Sequence, residues 1–244
     1  MEAIKKERKL PLELNTPLKI VRLGFIPYRQ AWDIQKELQA KLTDGSEVDT
    51  LLLCEHPAVI TLGSSASQGN ILASTEQLAA QGVEAIKIER GGDVTYHGPG
   101  QLVGYPIIDL NRKRRDVSWY MRSLEEVVIR TLGRFGINGV RIPGKTGVWI
   151  EQPNASSRNP VIERKIASIG VRISRWRTLH GFAINIFNCK KGFSLINPCG
   201  FTDIEVTSIE EEVSGNQKAV TMKTAEDLVI EDFKTVLSFQ SGDS

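Results

Sequence analysis

Cysteine is scarce in this chain: Cys54, Cys189 and Cys199 are the three among 244 residues. An odd count with no Cys-x-x-Cys spacing excludes a disulfide framework and a zinc ribbon. Histidine is equally rare (His56, His97 and His180) and widely spread along the chain, so no metal centre is expected. Charge of one sign is lacking as well. Thirty-one Lys plus Arg against 29 Asp plus Glu leave a net +2, too little for a general nucleic-acid binder, whose affinity rests on a basic excess. Long apolar runs are missing: the longest, such as Leu51-Leu52-Leu53-Cys54, are strand-sized and far short of the ~18 residues that read as a membrane span. The opening MEAIKKERKL has no apolar stretch and carries two glutamates, so neither a secretory signal nor a transit peptide is expected, and the expected compartment is the cytoplasm.

What remains is an ordinary globular composition, 41% hydrophobic and 25% charged. The length suits one large domain whose core needs no covalent staple. Residues 1–18 mix charge with Pro11 and Pro17 and read as a mobile arm, with the folded domain over 19–240. Lys19–Leu23 reads as a strand, followed by a helix from Pro27 to about Leu42. Leu51–Cys54 reads as a buried strand and Ala58–Leu62 as its neighbour after a His56-Pro57 corner. A short helix at Thr75–Ala80 and strands at Ala85–Ile88 and Leu102–Leu110 follow. The helix after them is capped by Ser118, carries Leu124, Val127, Val128, Thr131, Leu132 and Phe135 on one face, and stops at Gly136. Gly147–Ile150 and Ile166–Ile173 pair across a polar loop, Gln152–Asn159, and Phe182–Ile186 alternates as a further strand. Ser208-x-x-Glu211 is a capping box, and Thr224-x-x-Asp227 opens a last helix. Strands arrive in groups with helices between the groups, which predicts an α+β fold.

Two segments stand out chemically. Arg90-Gly91-Gly92-Asp93-Val94-Thr95-Tyr96-His97-Gly98-Pro99-Gly100-Gln101 packs four glycines among donors, a loop whose backbone can approach a ligand closely. It is neither a Walker loop nor a dinucleotide fingerprint, since no Gly-Lys-Ser/Thr and no third spaced glycine follow. The second is Asn197-Pro198-Cys199-Gly200, where a thiol sits on a turn rather than in a packed run. Cys54 lies among leucines as a small hydrophobe, and Cys189 reads as a strand-end residue, so Cys199 is the candidate nucleophile. Its base or cation is open on these grounds among His97, His180 and Lys165.

The motifs RGGDVTYHGPGQLVGYPIIDL, KIASIGVRISRWRTLHGFAIN and INPCGFTDIEVTSIEEE, in this order, resemble the lipoyl(octanoyl) transferase family of lipoate biosynthesis. EHPAVITLG, DVSWYMRSLEEVVI and KTGVWI fit the same pattern, so the resemblance covers residues 19–239. It implies a central mixed β-sheet flanked by helices, like the catalytic domains of biotin and lipoate ligases. It also implies that Cys199 carries an acyl-thioester and that Lys165 lowers the thiol's pKa and moves protons. The substrate-binding stretches it implies are Arg90, Gly91, Gly92, Asp93, Val94, Thr95, Tyr96 and His97; Ser168, Ile169 and Gly170; and Gly181, Phe182 and Ala183. These would wall an apolar slot for an eight-carbon chain. The implied donor is octanoyl acyl carrier protein. The implied acceptors are lipoyl domains of 2-oxoacid dehydrogenase acyltransferase subunits and of the glycine-cleavage H protein. No cofactor, metal, nucleic acid or membrane is implied, and a monomer is expected.

Four features depart from the family pattern: the long polar segment 151–164, the arm before Lys19, the Ile186-Phe187-Asn188-Cys189 run where an acidic residue is expected, and Phe182 where leucine is also common. The competing functions are an ATP-dependent lipoate or biotin ligase of the same fold, and a non-catalytic module that binds acyl carrier or lipoyl domains. The run Arg112-Lys113-Arg114-Arg115 is a candidate docking patch for an acidic carrier protein, set against a plain solvated loop.

Overall fold

The structure, a computed structural model, describes residues 16–153, 161–198, 204–213 and 220–239. In chain order its elements are β1 (Leu18–Phe25), α1 (Tyr28–Asp44), β2 (Asp49–Glu55), β3 (Val59–Leu62), α2 (Thr75–Ala80), β4 (Glu84–Lys87), β5 (Val94–His97), β6 (Gln101–Ile107) and α3 (Val117–Arg134). They continue with β7 (Val140–Ile142), β8 (Lys145–Pro153), β9 (Val161–Ser174), β10 (Arg177–Asn185), α4 (Lys190–Phe193), β11 (Glu205–Val206), α5 (Ile209–Glu212) and α6 (Met222–Val236).

The leucine run forms a strand covered on both faces. Along β2, Leu51 and Leu53 point into one core with α3 and α6, while Leu52 and Cys54 point into another with Tyr28, Ala31 and Leu42 of α1. This is the two-residue period of a strand between two layers. The large sheet runs β1-β2-β6-β10-β9-β8-β7, with β11 beside β9. Within this sheet, among the described residues, β1–β2 and β9–β11 pair in parallel and the other ladders are antiparallel. A mixed sheet with helices packed on it is the α+β architecture the sequence predicts. Among the described residues no helix is long and apolar enough to cross a membrane.

A second sheet, β4-β3-β5, stands apart from the first. The expectation that Ala58–Leu62 neighbours the leucine strand is therefore corrected: β3 pairs with β4 and β5 instead. The His56-Pro57 corner causes the departure. The His56 ring is buried and held by the Ile26 carbonyl (2.7 Å) and the Tyr105 hydroxyl (2.8 Å), so the chain leaves the large sheet there. The reading of residues 90–101 as one loop is corrected too, because its middle is the fully buried strand β5.

Helix starts also shift. Asp116, not Ser118, caps α3 by accepting from the Trp119 amide at 2.9 Å. Thr221, not Thr224, caps α6 through the Thr224 amide at 3.0 Å. Both sequences offer two capping residues within four positions, and the earlier one wins. At the start of the described chain, Thr16 is buried and bridges Phe239, and β1 begins at Leu18, so residues 16–18 belong to the fold rather than to an arm. Most of the polar 152–159 loop lies outside the described residues.

Candidate active site

A cavity of about 560 Å³ opens between β5 of the small sheet and the β9–β10 face of the large one. Its size falls in the ~300–1,000 Å³ range of small-molecule sites. All three sequence-derived stretches reach it: Arg90–Thr95 and His97, Ser168–Gly170, and Gly181–Ala183 line its walls. Register explains the last two, since β9 and β10 pair Gly170 with Gly181, Ile169 with Phe182 and Ser168 with Ala183. The two sheets touch through the Thr95 and Ser168 hydroxyls, 3.4 Å apart. Gly170 permits this approach, because a Cβ there would stand 3.0 Å from Arg90 Cδ and 3.2 Å from the Gly91 carbonyl.

The polar members of the first stretch hold the loop. Arg90 is buried and donates to the Thr61 carbonyl at 2.7 Å, to the Thr61 hydroxyl and to the Gly91 carbonyl. Asp93 accepts from the amides of Ser67 and Val94 through one carboxylate oxygen and from the Asn70 side chain through the other. Tyr96 is the exception to the lining set. It packs edge-on against Phe193, with ring centroids 5.7 Å apart, on the far side of β5.

Lys165 sits on β9 between Trp149 of β8 and Val206 of β11. Only 2% of it is exposed. Its Nζ donates to the Thr146 carbonyl at 3.0 Å and lies 4.7 Å from the Trp149 ring centre. Lys165 is not itself a wall residue, but Thr146 is, so the ammonium stands directly behind the cavity surface. Gly147 makes the space. Its φ is +118°, and a Cβ there would meet the Ala167 carbonyl at 2.5 Å and Lys165 Nζ at 3.4 Å. Cys199 lies outside the described residues. Upstream, Pro198 is buried; downstream, Val206 pairs with Lys165 and the Thr207 amide donates to the Lys165 carbonyl at 3.0 Å. The two described thiols are buried, and burial pushes both up, Cys189 to about 12.

One feature of the cavity has no signature in residue spacing. The three histidines, far apart in the chain, converge on Tyr28. Its ring stacks on His97 at 5.8 Å and tilts against His56 at 5.2 Å, and its hydroxyl lies 3.4 Å from His180 Nδ1. Burial holds His56 and His180 at about 4 and His97 well below its usual value, so all three rings are neutral at pH 7. His56 donates through Nδ1 to the Ile26 carbonyl and therefore accepts the Tyr105 hydroxyl at Nε2. His180 adopts φ +59° within β10 and gives its amide to buried Gln35 at 2.9 Å. Such a backbone costs about 1–3 kcal/mol and persists where surroundings over-determine it. Neutral imidazoles, tyrosines and Val103, Ile169 and Phe182 make a pocket that suits an uncharged chain. Among the described residues no group of three or more His, Cys, Asp or Glu is arranged to hold a metal ion.

At the cavity mouth, Val117 is 48% exposed and lines the opening with Met121 and Gly144. The neighbouring basic run divides. Arg112 pairs with the buried carboxylate of Asp49 at 2.7 Å, and buried Lys113 donates to the Ser238 carbonyl at 3.1 Å and covers the Phe239 ring. These two charges work inside the fold. Exposed Arg114 and Arg115 remain at the surface, so the docking patch expected over all four shrinks to two.

The family model described as "Lipoyl protein ligase A/B catalytic domain" matches residues 27–234. An octanoyltransferase of Geotalea uraniireducens is 45% identical over 206 residues, covering 84% of this chain and 88% of that protein. One from Solibacter usitatus is 50% identical over 181 residues, with coverage of 74% and 77%. Among solved structures, a lipoate-protein ligase A bound with ATP superposes with a TM-score of 0.66 at 13% identity, covering 94% of this chain and 89% of that one. A putative lipoate protein ligase from T. acidophilum with bound lipoic acid gives 0.64 at 13% identity, covering 92% and 88%. At that identity the likeness is one of fold.

Proposed function

The chain belongs to the lipoyl protein ligase A/B catalytic-domain family, among its octanoyltransferases, and from that premise we propose that this acyltransferase moves an octanoyl group in two thioester steps. In the first, the Cys199 thiolate attacks the carbonyl carbon of octanoyl acyl carrier protein. The carrier leaves as its thiolate and takes up the proton that Lys165 gives up once Cys199 is acylated and its negative charge is gone. Lys165 is left neutral, and the acyl group stays on Cys199. In the second, a lysine amine of a lipoyl domain attacks that thioester, the C–S bond breaks, and Lys165 receives the amine's proton. The acceptors are lipoyl domains of 2-oxoacid dehydrogenases and the glycine-cleavage H protein, in the cytoplasm. Thioester to thioester is nearly level and thioester to amide runs downhill, so no nucleotide is needed.

One observation carries the reading: three separate sequence stretches wall one cavity, and a buried lysine stands behind that wall at Thr146. A free thiol of pKa ~8.5 is only about 3% ionised at pH 7, and a neighbouring ammonium raises that fraction. Burial of Cys54 and Cys189 supports Cys199 as the thiol that reacts. Burying the seven carbons beyond the carbonyl, at roughly 0.8 kcal/mol per methylene, supplies on the order of 5 kcal/mol of binding.

The test is intact-mass analysis with peptide mapping after incubation with octanoyl acyl carrier protein, without ATP. An octanoyl adduct on Cys199 is expected, and Cys199→Ala abolishes it. Lys165→Arg keeps a charge but holds its proton, so it should stall at transfer to the acceptor while still acylating. Transfer that requires ATP would instead make the chain a ligase, and an adduct on Cys189 would overturn the assignment of the nucleophile.

A further inference from the structure

Between the glycine-rich loop and the thiol turn runs a continuous strut of polar contacts. Asp93 Oδ1 accepts the backbone amides of Val94 (2.7 Å) and Ser67 (3.2 Å), and its Oδ2 accepts the side-chain amide of Asn70 at 2.5 Å. The Asn70 carbonyl then accepts the amide of Asn197 at 2.8 Å. Beside it, Ile71 bridges Ile196, and the amides of Leu72 and Ala73 donate to the Leu195 carbonyl. Asn197 precedes buried Pro198, whose ring restricts the residue before it to extended backbone. Pro198 is bonded directly to Cys199. Both carboxylate oxygens of Asp93 thus accept, Oδ1 from two backbone amides and Oδ2 from Asn70.

We propose that Asp93 and Asn70 are positioning residues for the nucleophile: together they tie the segment Ile196-Asn197-Pro198, to which Cys199 is bonded, to the loop that walls the cavity. The inference rests on the reading of Cys199 as the acyl carrier. Its chemical logic is strict in direction. All three groups pointing at the Asp93 carboxylate are donors, so the carboxylate is the one acceptor that satisfies them, and Asn70 can serve only as an amide. Asn70 touches neither the cavity nor Lys165, so its effect passes through the turn or through Asp93 in the cavity wall; loss of acylation rate with little change in KM is the signature of the turn. A misplacement of about 1 Å far from the chemistry can cost ~10²-fold in rate.

The test uses the full chain and a small octanoyl thioester, with single-turnover acylation of Cys199 followed by mass spectrometry. Asn70→Asp sets two carboxylates against each other and should slow acylation about tenfold or more, with KM changed less than about twofold. Asn70→Ala removes the donor without adding charge and should slow it less, in the same direction. The swap of Asn70→Asp with Asp93→Asn restores a donor–acceptor pair of the same shape: the new amide donates to the new carboxylate, while its oxygen still accepts both backbone amides. It should recover most of the lost rate. A merely structural role would lower melting temperature without this split or this recovery. If wild-type Cys199 acylates and both single variants acylate equally fast, the strut has no positioning role; nor has it if the swap is as slow as Asn70→Asp. If wild-type Cys199 takes no acyl group at all, the nucleophile assignment fails instead.

Discussion

Lowering the pH from 7 to 5 should destabilise this protein through its histidines, ahead of most of its carboxylates, whose ordinary values lie near ~4. Burial holds His56 and His180 at about 4 in the native state, against ~6.5 in an unfolded chain. His97 is pushed down by burial, with His56 and Arg90 adding to the effect. Each native value lies below the unfolded one, so between about pH 6.5 and 4 the unfolded chain binds protons that the native chain refuses. The stability these rings contribute is complete above pH 6.5 and is lost as the pH falls towards 4. At ~1.36 kcal/mol per pH unit, each of the two rings forfeits roughly 3 kcal/mol over that window. The sum, on the order of 7 kcal/mol, rivals the ~5–15 kcal/mol of a whole domain. Near pH 5.2 these two rings should give a slope of about 2.5 kcal/mol per pH unit, and His97 steepens it further in the same direction. Urea unfolding at fixed pH values between 7.5 and 4.5 measures the slope. His56→Gln should reduce it by about one proton's worth, ~1.3 kcal/mol per pH unit. A flat profile between pH 7 and 5, or an unchanged slope in the variant, would refute the reasoning.

Three further outcomes are expected. Arg112→Ala leaves the buried Asp49 carboxylate with only the Asp109 amide and should cost about 3 kcal/mol in urea unfolding. Arg114→Glu with Arg115→Glu breaks one exposed ion pair, Arg114 with Asp116, and should cost about 1 kcal/mol or less. The same double variant should raise KM for the carrier-protein donor at low salt and leave a small thioester donor unaffected; equal loss with both donors would remove the docking role. Gly147→Ala forces a Cβ against the Ala167 carbonyl at an unfavourable φ and should destabilise by roughly 2 kcal/mol or more and suppress acylation, which a wild-type melting curve would contradict. Native protein should expose a single thiol to a disulfide reagent, with Cys54 and Cys189 reacting only in denaturant.

Much of the cavity wall was legible because its stretches are contiguous in sequence. Arg90–His97 announces itself by glycine density, whereas the β9 and β10 stretches are marked by the family resemblance and not by their strand pattern. The chemistry of Arg90 was not legible. Its guanidinium turns to Thr61, which lies on another strand of the small sheet. The small sheet itself escaped notice because β5 is buried along its whole length, so no polar alternation marks it. The histidine cluster around Tyr28 was hidden for a different reason. Its members lie on α1, β5 and β10 and in the corner after β2, and nothing in spacing links four positions that meet only when two sheets face each other. Arg112 and Lys113 show the same limit, since a run of four bases reads as one patch until Asp49 and Phe239 claim two of them.

The small sheet has a consequence for how the chain finds its fold. Its three strands all lie within residues 59–97, while the strands on either side of that segment, β2 and β6, are antiparallel partners in the large sheet. Residues 56–100 are therefore the connection of a hairpin, swollen into a sheet of its own. Closing such a connection as random coil carries an entropic penalty that grows with the logarithm of its length. If β3, β4 and β5 pair first, through contacts local in sequence, the ends of the connection come together with far fewer free residues between them, and β2 meets β6 as it would across a short turn. The small-sheet wall of the cavity would then be the piece that assembles earliest, with the large sheet closing onto it.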